Sequence, residues 1–425
     1  MFRGNANEIA KFGKEVTRKV LAEQLKTVWN LGITYDCLNF ESDILYSELW
    51  KKIFDRMKSE NITHLETEGD NAGCWVTDVN SIWGPSDQGV DEKVLVRSNG
   101  VPTYIAKDIP YAAWKLGILD DPFNYVKYDM QQDGRILYET TLGPAEPTPK
   151  FTGDKAITII DNRQIRLQGI VGNLMARFKA PSEYIEEGFG GEYTDFIREY
   201  IHLGYETVTL SSETVKLLGF KTDGKDAQMS GRKGIYVNAD EIIEKLQKRI
   251  FAESKQRNSD LDDSSLTEIS HNIAVGTLKY ELIKPDLDKI ITFDINSSLK
   301  LEGNTCSYIQ YSCVRAARIL EKFGNKPNFD VQFDQLGTEY ETNLIKQIGL
   351  FEVFVNDAAK NYSPKVIAKY CYDLAVAFSS FYEHVNVLKA DTPELINARL
   401  CLVLSFKSTL ERALDLLGIT APQRM

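Results

Sequence analysis

Several things are scarce in this sequence, and each scarcity narrows the field. Histidine occurs four times, as His64, His202, His271 and His384, and no two lie within the distance of a paired-histidine motif. The six cysteines (Cys37, Cys74, Cys306, Cys313, Cys371, Cys401) form no CxxC pair and have no histidine at ligand spacing, so no metal site is expected. They read as reduced, mostly buried thiols of a cytoplasmic protein. No apolar run is long enough to span a bilayer, and no membrane partner is expected. The opening stretch MFRGNANEIAKFGKEVTRKV has neither the apolar centre nor the small-residue cleavage site of a secretory leader. Internal repeats and low-complexity tracts are missing, which argues against solenoids and disordered arrays. Basic residues are also short: 50 Lys and Arg against 61 Asp and Glu give a net charge of −11. That sum disfavours a nucleic-acid partner only mildly, because residues 301 to 425 come to about −1 and the acidity lies in the first three hundred residues.

What is there suits a globular chain with a sizeable core: 425 residues, 43% hydrophobic and 26% charged, long enough for two or three domains. Residues 8 to 31 carry apolar side chains at helical spacing, with Gly32 as a C-cap. Strand-like runs at 93 to 97, 156 to 160 and 205 to 210 alternate with helical stretches such as 165 to 178, which predicts an α/β layer with a mostly parallel sheet. The polar stretch 253 to 267 reads as a surface connection. From Thr305 onward strand signals stop, and amphipathic segments at 305 to 323, 340 to 359, 363 to 389 and 392 to 417 predict an all-α bundle.

Four constellations bear on chemistry. In VRSNGVPTYIAKDIPYAAWKL, Tyr104 and Asp108 stand four residues apart, on one face if the segment is helical. A phenol and a carboxylate so placed suit a planar cation, since a carboxylate accepts two parallel bonds from a guanidinium; a surface aspartate beside a packed tyrosine has the same spacing. ITIIDNRQIRLQGIV is an apolar strand that ends in Asp161, Asn162, Arg163 and Gln164, where open α/β sheets bind ligands and where plain helix caps also occur. MSGRKG, Met229 to Gly234, is a glycine-flanked basic loop that could close over a polyphosphate, or be a solvated turn. LEGNTCSYIQYSCVR joins a loop to a long helix, with Asn304 or Thr305 as its N-cap.

In this order the four elements resemble the arginyl-tRNA synthetases, which are class I aminoacyl-tRNA synthetases. MSGRKG resembles a variant of the family's KMSKS loop, with Gln228 in place of its first lysine. LEGNTCSYIQYSCVR resembles the family's signature at the entry to the anticodon-binding domain, with Cys306 and Ser307 where Ala-Pro is commoner. The C-terminal stretch from YSPKVIAKYCYDLAVAFSSFYEHVNVL to the final APQRM resembles the helical DALR anticodon-binding domain.

The resemblance implies α/β followed by all-α. Residues 1–250 would be an N-terminally truncated Rossmann-type catalytic domain, residues 251–300 connecting helices that touch the tRNA stem, and residues 301–425 the DALR bundle. It implies an arginine-tRNA ligase that uses ATP with Mg²⁺ as substrate and no tightly bound cofactor, with L-arginine and arginine tRNA as partners. A catalytically inactive tRNA-binding paralogue or fragment is the alternative. Tyr104, Asp108 and Gln164 would form the arginine pocket. Met229, Ser230, Gly231, Arg232 and Lys233 would bind ATP, with Ser230, Arg232 and Lys233 acting on the phosphates and His202 on the adenosine side. Tyr308, Tyr311, Tyr362 and Tyr382 are candidate platforms for anticodon bases, or core residues. The family's HIGH-like histidine motif has no counterpart here, so that segment is expected upstream of residue 1 or on a separate N-terminal polypeptide. The sheet would then lack a strand and expose apolar surface.

Overall fold

The computed structural model describes residues 8–78, 92–145, 150–179, 200–220, 227–228, 237–258 and 260–425. They form two compact units, Thr34–Tyr205 and the remainder, Met1–Ile33 with Glu206–Met425. The middle of the chain is one unit, and both flanks build the other. The boundary expected at residue 250 falls inside a continuous helix, Ala239–Arg257.

The chain opens with helix α1, Glu8–Asn30, which ends at Leu31 and Gly32; the latter takes φ +66, a conformation that favours glycine. The unit Thr34–Tyr205 then runs β1 Cys37–Leu38, α2 Glu41–Tyr46, α3 Leu49–Ser59, β2 His64–Leu65, β3 Trp75–Asp78, β4 Glu92–Val96, α4 Tyr104–Lys115, β5 Asn124–Met130, β6 Ile136–Thr141, β7 Ala156–Asp161, α5 Ile165–Lys179 and β8 Tyr200–Tyr205. In α3, Leu49, Ile53 and Met57 recur every four residues and are fully buried, so one stripe supplies the helix's contribution to the core. That core joins α3 to α4, α5, β4 and β8 through Ile105, Ile109, Leu174 and Tyr200. A second cluster surrounds Trp114, whose indole N–H donates to Asp121 Oδ1 at 3.0 Å. Asp121 also receives the Phe123 amide at 3.0 Å and the Tyr125 hydroxyl at 2.6 Å, which ties β5 to α4.

Strands at 93–97, 156–160 and 205–210 exist as β4, β7 and the β8 to β9 region, within the α/β part that the alternation predicted. Among the described residues the strands make small separate sheets, ordered β1-β6-β5, β2-β3-β4 and β7-β8 in this unit. The β7–β8 pair is parallel because α5 carries the chain back between them. The β5–β6 and β3–β4 pairs are antiparallel; the first turns through Gly134 at φ +82. Ile157 and Ile159 of β7 are 45% and 66% exposed.

In the other unit β9 Val208–Leu210 lies between β10 Ala227–Gln228 and β11 Ile291–Phe293, with α6 Ser212–Leu217, α7 Ala239–Arg257, α8 Asp263–Ile283 and α9 Ile295–Ser298 around them. The stretch 253–267 is mostly helix: α7 runs to Arg257 and α8 starts at Asp263, where the Asp262 carboxylate caps the Ser265 amide at 2.7 Å. The bundle follows as α10 Cys306–Phe323, α11 Glu339–Gly349, α12 Phe351–Asn361, α13 Pro364–His384 and α14 Pro393–Leu416. The segment expected as one helix at 340–359 is broken at Leu350, directly after Gly349, the weakest helix former in that stretch. Its core is aromatic at the centre, with Phe378 and Phe406 stacked 3.9 Å apart and both fully buried. Glu341, also buried, completes a capping box with Thr338 and receives Arg399 Nε at 2.7 Å.

The EGNTC element is a joint. Thr305 is the N-cap of α10, its hydroxyl accepting the Tyr308 amide at 3.2 Å. Asn304 instead accepts the buried Tyr280 hydroxyl at 2.5 Å, and the same hydroxyl lies 3.1 Å from the Ala368 carbonyl, so α8, the loop and α13 meet at one phenol. Gly276 of α8 faces α10 and the C-terminal tail, where an added Cβ would meet Gln310 and Ile419 at 3.0 Å. The tail docks: Gln310 donates to Thr420 O at 2.8 Å, Arg424 pairs with Asp260 at 2.5 Å, and Met425 is buried.

Candidate functional site

Tyr104 and Asp108 lie on α4 as the spacing predicted, one turn apart on the same face. Thr103 precedes the helix in extended conformation, its hydroxyl 2.9 Å from Val94 O of β4, so the start of α4 is pinned to the strand. Buried Ile105, Ile109 and Ala113 fix the opposite face in the core, and Pro110 leaves the Ala106 carbonyl without its usual amide partner. Tyr104 is 82% exposed, with the Lys107 ammonium 5.4 Å from its ring centre. Lys107 is itself paired with Glu41. Beside Tyr104 lies a hollow of about 540 Å³, lined by Arg97, Thr103, Leu167 and Cys74 among others, within the size range of small-ligand sites.

Asp108 is half-buried. Its Oδ2 accepts the side-chain amide of Gln168 at 3.1 Å, and among the described residues Oδ1 accepts no hydrogen bond. Burial pushes this carboxyl above the ordinary aspartate value and nearby Glu41 adds to the rise, while the bond from Gln168 and the charges of Lys115 and Lys107 oppose it. Lys115 is held below its ordinary value by burial, and Asp108 works against that. Its ammonium sits 4.0 Å from the centre of the Tyr111 ring. Tyr111, in turn, is pushed up to about 12 by burial.

Gln164 closes a short 3-10 turn, Asn162–Gln164, after β7, and its side chain is exposed. The turn has its own cap: Asp161 Oδ1 accepts the Arg163 amide at 2.9 Å and its carboxylate takes the Arg163 guanidinium at 2.7 and 2.9 Å. Those bonds hold the Asp161 carboxyl below its usual range, so this aspartate is committed locally. Asn162 packs on β8, where a Cβ at Gly204 would fall 2.0 Å from its Oδ1. His202 lies within β8 rather than at its start, with Nε2 2.9 Å from the Ile160 carbonyl of β7. Met229, Ser230, Gly231, Arg232 and Lys233 lie outside the described residues, and Gln228 is the last residue of β10.

Sequence reasoning missed Gln168. It is 1% exposed and bonds Asp108 on one side and the Tyr200 hydroxyl, at 2.6 Å, on the other. Its signal was available, since Gln168 stands on the apolar face of α5 between Leu167, Ile170 and Val171, where a polar residue needs a partner. The structure also gathers three groups at metal-ligand distances where none was expected. His64 Nε2 lies 3.7 Å from Glu66 and 3.8 Å from Glu92 on the β2-β3-β4 sheet. One Glu66 oxygen is already taken by the amides of Thr67 and Glu68, and the group reads as a partly exposed polar cluster at the sheet surface.

On the bundle, Tyr308 is partly buried and donates to Ser379 at 3.0 Å, and Tyr362 ends α12 at φ +51. The Arg315 guanidinium lies over Tyr311 at 4.5 Å and over Tyr382, which is 43% exposed, at 5.0 Å. No helix among the described residues is long and apolar enough to cross a membrane.

Residues 309–425 match the DALR anticodon binding domain model. The chain is 30% identical to the arginine–tRNA ligase of Thermococcus kodakarensis over 99% of its own length and 62% of that protein's. It is 32% identical to an arginine–tRNA ligase of Thermus thermophilus, again over 99% of this chain and 66% of the relative. The solved structure of Thermus thermophilus arginyl-tRNA synthetase superposes with a TM-score of 0.81 at 30% identity, covering 97% of this chain and 64% of that one. The chain thus spans 61 to 66% of the length of the curated relatives it matches. Nothing in these comparisons points to a separate N-terminal polypeptide.

Proposed function

Because this chain belongs to the arginyl-tRNA synthetase family, we propose that it takes part in the ATP-dependent attachment of L-arginine to arginine tRNA, with Asp108 as the residue that selects the amino acid. The observation that carries the reading is the state of that carboxylate: half-buried and, among the described residues, positioned by one hydrogen bond to Oδ2 with none to Oδ1. A guanidinium offers a planar pair of donors to such a group, whereas a lysine ammonium cannot reproduce the two-pronged contact. Tyr104, exposed one turn away, offers a ring face and a hydroxyl to the same ligand, and Gln164 offers an amide from the turn after β7. A neutral side chain in this place would leave the carboxylate buried and unpaired, which disfavours it by a few kcal/mol.

In this scheme ATP with Mg²⁺ enters as substrate. The arginine carboxylate attacks the α-phosphorus, pyrophosphate leaves, and the terminal ribose of the tRNA takes arginine from the adenylate with release of AMP. The chain's contribution is positioning and charge. Ser230, Arg232 and Lys233 of the MSGRKG loop neutralise the leaving pyrophosphate, and His202 borders the adenosine. The helical bundle holds the anticodon loop, whose unpaired bases need stacking partners. Tyr382, with Arg315 against its exposed ring, is the platform we favour. Six free thiols fit a reducing compartment, the cytoplasm.

The test is arginine-dependent exchange of labelled pyrophosphate into ATP by the purified chain, with and without arginine tRNA, beside filter binding of that tRNA. Exchange that disappears in Lys233→Ala and Asp108→Ala supports the proposal. Binding of tRNA without exchange would leave a tRNA-binding protein and overturn the catalytic part.

A further inference from the structure

The carboxylate of Asp108 is the last acceptor in a line of donors. Gln168 gives an amide N–H to Asp108 Oδ2 at 3.1 Å, its carbonyl oxygen receives the Tyr200 hydroxyl at 2.6 Å, and Thr158 of β7 hydrogen-bonds the same phenol. An ionised carboxylate only accepts, so the Gln168 NH₂ has to face it. The amide oxygen then faces Tyr200, whose hydroxyl has to donate. The charge at one end therefore sets the polarity of the whole line, across α4, α5 and β8. Gln168 is 1% exposed and Tyr200 7%, so water does not substitute for either. Gly172, one turn along α5 from Gln168, lets Tyr200 come close: a Cβ there would lie 3.3 Å from Tyr200 Cδ1.

The charged and titratable groups that face Asp108 are Glu41 from α2, Lys107 and Lys115 from its own helix, and Tyr200 from β8. Lys107 is paired with Glu41, and Lys115 is buried against the Tyr111 ring. Neither cation is hydrogen-bonded to Asp108 among the described residues, and the donor that touches it is neutral.

We propose that Gln168 is a positioning residue for ligand selection: held in one orientation by Tyr200, it fixes one oxygen of Asp108, keeps the group a carboxylate, and turns the other oxygen to a guanidinium. The inference rests on reading Asp108 as the arginine contact. A neutral donor suits this role better than a cation would, because it orients the carboxylate without cancelling the charge that the ligand has to meet.

The experiment measures binding of arginine, and of citrulline as its neutral isostere, to the full chain by calorimetry over roughly pH 5 to 8. Wild type is compared with Gln168→Leu, Tyr200→Phe and Asp108→Asn. Gln168→Leu is expected to bind arginine about tenfold more weakly at neutral pH, as loss of a bond to a charged group implies. Its deficit should widen as pH falls, because the midpoint of the arginine–pH profile moves up. Tyr200→Phe should move the midpoint the same way by less, and it carries the test if Gln168→Leu does not fold. A uniform loss at every pH, with the midpoint unmoved, would mean that Gln168 only packs and would overturn the inference. If Asp108→Asn binds arginine as well as wild type, the reading of the site fails instead. If the wild-type chain binds no arginine, titration of ¹³C-labelled Asp108 in wild type and Gln168→Leu decides the donor line: a higher midpoint in the variant supports it, and an equal one overturns it.

Discussion

Replacing Asp108 by asparagine keeps the shape of the side chain and removes its charge, and the structure assigns opposite signs to the consequences for ligand and for fold. The single acceptor oxygen of asparagine is taken by the Gln168 amide, so an NH₂ stands where Oδ1 would meet the ligand, and the charged hydrogen bond to the guanidinium is lost. Bonds to charged groups contribute about 1.5–3 kcal/mol, which at about 1.4 kcal/mol per tenfold predicts a loss of roughly 10- to 150-fold in arginine affinity. Stability goes the other way. Burial, with Glu41 adding, raises the Asp108 carboxyl above its unfolded value, so between those two values the native chain binds more protons than the unfolded one. Stability due to this group therefore falls as pH rises through that window, and above it the full cost of a buried charge is present. Asparagine carries no such cost and still accepts the Gln168 amide. Asp108→Asn should thus melt higher than wild type at neutral pH, with the difference vanishing below the ordinary aspartate range. The assay is thermal denaturation in a pH series, run beside equilibrium binding of arginine. Unchanged arginine affinity would remove Asp108 from the site, and a lower melting temperature at neutral pH would refute the account of burial.

The bundle, the turn and the α8 contact give separate tests. Glu341→Ala leaves Arg399 without its partner in a buried setting and should cost about 3–5 kcal/mol in denaturant unfolding. Burial pushes the Glu341 carboxyl up, but the Thr338 amide and Arg399 outweigh it and hold it below the ordinary range. Wild type should therefore lose this contribution only as pH falls through that lowered value, and the variant should lack that acid transition. Gly204→Ala forces the Asn162 side chain away and with it the turn that carries Gln164; arginine affinity should fall severalfold at a stability cost of about 1–3 kcal/mol, and unchanged affinity would detach that turn from the site. Gly276→Ala presses on Gln310, Ile419 and Cys306, so the free energy of unfolding should drop by a similar amount, about 1–3 kcal/mol, with arginine affinity unaltered.

Where side chains repeat with a period, local order is legible in the sequence. The four-residue spacing of Tyr104 and Asp108 became one face of α4, Thr305 became the cap of α10, and the apolar rhythm of 363 to 389 and 392 to 417 became α13 and α14. Each rests on contacts within a turn or two, where hydrogen-bond geometry and helical pitch leave few alternatives. Non-local order is not legible there. The runs at 93–97, 156–160 and 205–210 all read as strands, yet nothing in their composition says which pairs with which, and they went to different sheets. The chain's division into units likewise depends on α1 packing with residues more than two hundred positions away, as its Thr27 does with Asp240 at 2.5 Å.

The sequence by itself therefore determined the helices, their caps, the chemical types at the ligand face and the order of motifs that marks the family. Only the tertiary structure decided which of those types meet. Gln168, Tyr200 and Asp108 lie on α5, β8 and α4, and no local rule links them. They come together because a buried polar group has to find a partner wherever the packed core presents one, and that search runs through space rather than along the chain.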